Sequence, residues 1–246
     1  MPRSREIIEN RLVAIAGNTE IPVSVFWTKK CASAAHGPIA LIVYGGGIKF
    51  NQDELIIMKT LLLKRGVMPA SFTFRGHLPG TSFFETGLHA RIEDLRSVVR
   101  AIKTAYPESP LSVMAVSMGG YVATFLNPED LANLILIGPA AYHPDAVKNK
   151  LDFGPEFTAL ITRNRSWENS DGFLNIQKFT RTRLLVIKFD RDEKIPPEIP
   201  ALYFENHRGE KRFVSLDFRH DGNFLNRTKV GTLVAVVDSW IKHEKQ

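Results

Sequence analysis

Short apolar runs alternate with amphipathic stretches along this chain, and that alternation limits the folds open to it. Ile39–Tyr44, Leu111–Ala115, Leu134–Ile137 and Leu184–Phe189 are almost continuously apolar. Such runs mark strands buried on both faces, because a half-exposed strand would alternate polar and apolar residues. Val67–Phe74 and Phe213–Phe218 read as two further strands, with Pro69 arguing for a bulge or a short strand in the first. Arg11–Ala16 and Pro22–Trp27 read as an antiparallel pair joined at Gly17-Asn18. Between the runs, Leu88, Ile92, Leu95, Val99 and Ile102 recur at helical spacing until Pro107 stops them. Val230, Leu233, Val234, Val237 and Ile241 mark a closing helix, and Asn51 with Glu54 and Gly66 frames another. The pattern predicts an α/β fold: a mostly parallel central sheet of about eight strands with helices on both faces. Binding sites in such sheets lie at the carboxyl ends of the strands.

One strand end carries chemistry. Leu111–Ala115 runs into Val116-Ser117-Met118-Gly119-Gly120, and Met118–Leu126 reads as a helix. A strand, a tight turn with one Ser between small residues, and a helix make a nucleophile elbow. The residues two before and two after the Ser must be small, and here they are Ala115 and Gly119. An incidental Ser in a Gly-rich turn is the competing reading.

A Ser hydroxyl needs a base, and the base needs an orienting acid. Of the seven histidines, His36, His89, His207 and His243 sit in contexts that read as surface. His220 follows the last strand, on the expected active edge, and is the preferred base. The loop after the preceding strand offers Asp190 and Asp192. Asp190 stands at the strand's end, where it can pair locally. Asp192 lies farther into the turn and can bend toward His220, so it is preferred. Glu193 and Asp217 rank below both.

The ordered residues Ser117, Asp192 and His220 resemble the α/β-hydrolase superfamily, over nearly the whole chain from Ile39 onward. Tyr44-Gly45-Gly46-Gly47 resembles that family's His-Gly oxyanion loop, with Tyr in place of His. Arg75-Gly76-His77 resembles its Arg-Gly-His stretch, with Leu78 in place of Gly. Asp192 followed by Pro196 resembles its acid loop, which adds to the preference for Asp192. The resemblance implies an oxyanion hole built from the N–H groups of Met118 and Gly46, with Gly47 as the substitute. It also implies that the long stretch between Gly138 and Arg183 is a helical lid, inserted after the sixth strand. The domain expectation is a core of residues 1–138 and 182–246 with a lid of 139–181. Two short helices, Pro155–Thr162 and Asp171–Phe179, would present Phe153, Phe157, Leu160, Ile161, Trp167, Phe173, Leu174 and Phe179. Candidate substrate contacts are Tyr44, His77, Phe157, Trp167 and Phe173. A hydrogen bond within its own loop is the preferred reading of His77.

The expected activity is a serine hydrolase acting on a small ester or thioester with an apolar acyl part. A peptidase, an amidase or a C–C bond hydrolase on the same triad is the alternative, and a non-catalytic binding protein on this fold ranks last. Nothing in the sequence asks for a metal or an organic cofactor. The chain has 246 residues, 44% hydrophobic and 24% charged, enough for a large core. Its net charge of +6 is scattered and reads as a solvated surface, with no block suited to nucleic acid. The single Cys31 and the polar start suggest a cytoplasmic, non-membrane protein whose partner is a small-molecule substrate. A homodimer is left open.

Overall fold

The computed structural model describes residues 7–28, 37–46, 55–220 and 227–242. Cys31, His36, Gly47, His243 and the expected cap at Asn51 and Glu54 lie outside these residues. The described residues form one eight-stranded sheet. Its strands are β1 (Ile7–Ala16), β2 (Thr19–Thr28), β3 (Ile39–Val43), β4 (Met68–Phe72), β5 (Leu111–Val116), β6 (Asn133–Ile137), β7 (Arg183–Phe189) and β8 (Lys211–Leu216). They lie in the order β1-β2-β4-β3-β5-β6-β7-β8. β1 and β2 form an antiparallel hairpin, β2 meets β4 antiparallel, and every later pair is parallel.

Pro69 fits inside β4 because of where its nitrogen faces. The Met68 N–H donates to Pro38 on the β3 side, so the Pro69 nitrogen faces β2. The ladder to β2 covers only Ala70–Phe72, so no hydrogen bond is lost there.

The helices are α1 (Leu55–Lys64), α2 (Leu88–Ala105), α3 (Met118–Ala123), α4 (Asp145–Lys148), α5 (Pro155–Ile161), α6 (Asp171–Asn175), α7 (Glu198–Asn206) and α8 (Arg227–Ile241). Successive strand residues point to opposite faces, and the sheet sorts its apolar residues into two layers accordingly. Leu41, Val113, Leu134 and Val186 pack on one face with α2 and α3. Ile42, Met114, Ile135 and Leu185 pack on the other with α1 and α8. All five apolar positions expected on α2 are buried.

Some bounds differ from those the sequence predicts. α3 stops at Ala123, and residues 124–126 close with i to i+3 bonds while the Thr124 hydroxyl donates back to Tyr121 O. The expected 171–179 helix is shorter, because α6 passes into a 3₁₀ turn over Ile176–Lys178. His207 is buried rather than on the surface. Its Nε2 lies 3.0 Å from Thr182 O and its Nδ1 accepts from Gly209 N–H. His89 is half-buried.

The stretch between β6 and β7 packs against the body. Phe153, Phe157, Leu160, Phe173 and Phe179 belong to the same apolar cluster as α2 and α3. The Phe153 N–H donates to Thr86 O at 2.7 Å, and Asp152 bridges to Gly87.

Candidate active site

Parallel strands end on one edge of the sheet, and the loops that follow β5, β7 and β8 deliver Ser117, Asp192 and His220 there. Ser117 has φ 54° and ψ −121°, a backbone conformation that L residues rarely take. The structure holds it by bonds on both sides. Ser117 N–H donates to Ile137 O at 3.0 Å, and Ser117 O accepts from Gly120 and Ala140. Gly119 has to be glycine, since a Cβ there would stand 2.8 Å from the carbonyl oxygens of Val43 and Tyr44. Ala115 is fully buried between Val43 and Leu136, where a methyl group fits the sheet.

The Ser117 hydroxyl donates to His220 Nε2 at 2.8 Å, and His220 Nδ1 donates to Asp192 Oδ2 at 2.7 Å. A carboxylate only accepts, so the proton sits on Nδ1 and Nε2 is free to accept from Ser117. The other oxygen of Asp192 accepts from the N–H groups of Lys194 and Ile195, both at 2.9 Å. Burial pushes the Asp192 carboxyl up. The His220 hydrogen bond and the two backbone N–H groups outweigh that and leave it below the usual carboxylate range. Asp190 is engaged elsewhere, 3.4 Å from Lys188 Nζ. Gly138, with φ 49°, passes beneath the imidazole: a Cβ there would lie 3.4 Å from His220 Nδ1 and 3.0 Å from the Phe189 ring.

Gly45 and Gly46 cross directly over the elbow. A Cβ on Gly45 would come within 2.9 Å of Ser117 Cβ and 3.4 Å of Met118 N, and one on Gly46 within 2.9 Å of Met118 Sδ. The Met118 N–H opens α3, so the first turn of a helix points at the same place. Above Ser117 lies a cleft of about 930 Å³, lined by Gly46, Met118, Phe83, Phe84, Tyr142, Phe153, Phe157 and neighbouring residues of α5.

Of the expected substrate contacts, Phe157 lines this cleft and the others are placed elsewhere. His77 Nε2 takes a hydrogen bond from Arg91 at 3.0 Å and its ring tilts against Phe83. The ring thus has a structural place, but its hydrogen bond comes from α2 and not from within its own loop. Burial, and then the Arg91 charge, lower the His77 pKa. Tyr44 packs against the apolar layer of α1 and α8. Phe173 packs edge-on against Tyr203 at 4.9 Å, and Trp167 lies under the Arg165 guanidinium. Phe83, Phe84 and Tyr142 carry no periodic signal in the sequence. The one sequence sign of Arg91 is a charge three residues after Leu88 on a buried stripe.

Residues 72–204, more than half of the chain, match the Hydrolase_4 family, described as serine aminopeptidase, S33. The chain belongs to this family. It is therefore a serine hydrolase of the α/β-hydrolase fold. Solved structures share that fold. Est1E from Butyrivibrio proteoclasticus, solved with ferulic acid bound, is 16% identical with a TM-score of 0.70, over 93% of this chain and 97% of Est1E. A Pyrococcus furiosus esterase is 18% identical with a TM-score of 0.65, over 97% of this chain and 92% of the esterase. A Pyrococcus horikoshii acylaminoacyl peptidase is 13% identical with a TM-score of 0.70, over 99% of this chain and 43% of the peptidase. At these identities the likeness is one of fold. No curated protein matches the hydrolase in sequence. Among its described residues, no cluster of three or more His, Cys, Asp or Glu could hold a metal ion, and no helix is long and apolar enough to cross a membrane.

Proposed function

We propose that this hydrolase cleaves a small ester or thioester with an apolar acyl part, through Ser117, His220 and Asp192 and an acyl-enzyme. The observation that carries the reading is the unbroken pair of hydrogen bonds from Ser117 through His220 to Asp192, at the floor of an aromatic-lined cleft. Ser117 Oγ attacks the carbonyl carbon while His220 Nε2 takes its proton. The carbonyl oxygen becomes an oxyanion facing the N–H groups of Met118 and Gly46, each worth roughly 3–4 kcal/mol to that intermediate. Collapse breaks the bond to the alcohol or thiol, and His220 returns the proton to it. Water then attacks the acyl-enzyme with His220 again as base, and the acid leaves. Asp192 keeps the proton on Nδ1 and stabilises the imidazolium. Residues 139–181 act as the lid over the acyl part, with Phe157 on the cleft side.

The family description and the Pyrococcus horikoshii peptidase favour a second reading, an aminopeptidase. An aminopeptidase has to hold a free α-ammonium, which calls for a carboxylate. The described residues lining the cleft include none. That supports the ester reading over the peptidase one. The test is a panel of p-nitrophenyl esters of rising chain length, acyl thioesters and aminoacyl p-nitroanilides. Turnover of apolar esters or thioesters, abolished in Ser117→Ala, is expected. Preference for the anilides, or full activity in Ser117→Ala, would overturn the reading.

A further inference from the structure

Beside the cleft the protein buries an arginine, Arg91. Arg91 is 2% exposed, and among the described residues no Asp or Glu lies within ion-pair distance of it. Asp94, one turn on along the same helix, is paired with Arg75 at 2.6 Å and acts on Arg91 only from a distance. The rings of Phe74, Phe153 and Phe83 surround the Arg91 guanidinium, 4.6, 5.1 and 5.5 Å from its carbon. Burial lowers its pKa to about 10, so it stays charged at neutral pH. Its Nε has no hydrogen-bond partner among the described residues. A buried cation without an ion-pair partner among the described residues is costly. Two bonds aim it. Nη1 donates to Gly45 O at 3.0 Å, and Nη2 to His77 Nε2 at 3.0 Å. A guanidinium can only donate, so His77 is neutral with Nε2 unprotonated, which agrees with its lowered pKa.

The Gly45 carbonyl shares its planar peptide with the Gly46 N–H. In a trans peptide the two point in opposite directions. Holding the oxygen toward Arg91 therefore turns the N–H away from Arg91. Gly46 meets Met118 and lines the cleft with Ser117, on the elbow side of the loop. A peptide between two glycines is among the easiest to flip, because neither flank restricts it. We infer that Arg91 is a positioning residue for the oxyanion hole: it pins the Gly45 carbonyl and so presents the Gly46 N–H to the oxygen of the substrate carbonyl. His77 braces the other arm of the guanidinium. The arrangement rests on the serine-hydrolase reading above. A fixed positive charge behind the peptide also polarises the N–H that faces the oxyanion.

The experiment is Arg91→Met and Arg91→Lys, each with circular dichroism, kcat and KM on a p-nitrophenyl ester, and the rate of inactivation by a fluorophosphonate. Removing one oxyanion donor costs about 10²–10³ in kcat. The expected result for Arg91→Met is a fall of about 10²-fold in both kcat and inactivation rate, with KM within about threefold. Lys keeps the charge but cannot hold Gly45 and His77 together, so kcat falls about tenfold and KM again holds. If Arg91→Met does not fold, the Lys variant decides. A folded variant of either kind with wild-type kcat and inactivation rate overturns the role of Arg91, as does a loss seen only in KM. A wild-type protein that the fluorophosphonate does not label overturns the serine-hydrolase reading itself, and this inference with it.

Discussion

The strand ends that carry Ser117, Asp192 and His220 and the 139–182 stretch beside them are built on opposite terms. Backbone groups hold two of the three. Ser117 is tied to Ile137 and Gly120 and Asp192 to Lys194 and Ile195, while His220 is held by its side-chain bonds to both; the parallel ladders of β5, β6, β7 and β8 set the spacing. The 139–182 stretch has no strand of its own. It holds its place by burying Phe153, Phe157, Leu160 and Phe179 and by a few bonds such as Phe153 N–H to Thr86. The proposed chemistry thus sits where backbone bonds set the geometry, and the proposed substrate contact sits where side chains decide. Substitutions on the first side should cost kcat, and those on the second should cost KM or stability.

The largest expected effect is at the triad. Asp192→Asn should lower kcat on an ester by about 10⁴-fold with little change in KM, because the imidazole loses its tautomer and its counter-charge. Steady-state kinetics check this, and a loss below tenfold would remove Asp192 from the mechanism. Gly119→Ala comes next. Its methyl would stand 2.8 Å from two backbone oxygens that cannot swing away, so stability should drop by about 1–3 kcal/mol and the elbow should distort. Urea unfolding together with kcat reads both. Ala115→Gly, the change that restores the commoner glycine, should cost only about 0.5–1 kcal/mol.

On the other side, Phe153→Ala should cost about 3–5 kcal/mol, since its ring is buried. Phe84→Ala, in the loop before α2 that lines the same cleft, should leave the unfolding midpoint unchanged, because Phe84 is 58% exposed, yet raise KM several-fold for apolar esters by opening the cleft. If Phe84→Ala lowers kcat and spares KM, the cleft is not where the apolar part of the substrate sits.

The smallest effect is a pH dependence where the 139–182 stretch rejoins the sheet. Burial lowers the pKa of His207, whose Nδ1 must stay unprotonated to accept from Gly209. The unfolded chain therefore binds a proton that the fold refuses, and stability falls as pH drops below about 6.5. His77 and His89, also lowered, act in the same direction. Thermal unfolding between pH 7.5 and 5.5 should show the decline, and His207→Gln should flatten it.

The same division decided what the sequence could show. β3, β5, β6 and β7 stood out because burial on both faces removes polar residues from a strand. Ser117, Asp192 and His220 stood out because loops that end parallel strands must meet on one edge. α7 was missed. It opens after Pro196-Pro197, carries Pro200 in its first turn and has no clear apolar stripe. His207 was misplaced because its charged neighbours hide a ring that points inward. Phe83, Phe84 and Tyr142 were missed because the cleft joins the loop before α2 to a stretch beyond β6. No local pattern reports a contact between segments that far apart. Arg91 was hidden by its own helix, where one charge on a buried stripe looks like an interruption.

The most direct test of the account is to trap the acyl-enzyme. The hydrolase is mixed with a p-nitrophenyl ester, quenched in acid within the first turnover, digested and mapped by mass spectrometry. The account predicts one acyl adduct, on Ser117, absent from Ser117→Ala and formed far more slowly in His220→Ala. An adduct on another residue, or turnover that persists in Ser117→Ala, would contradict it.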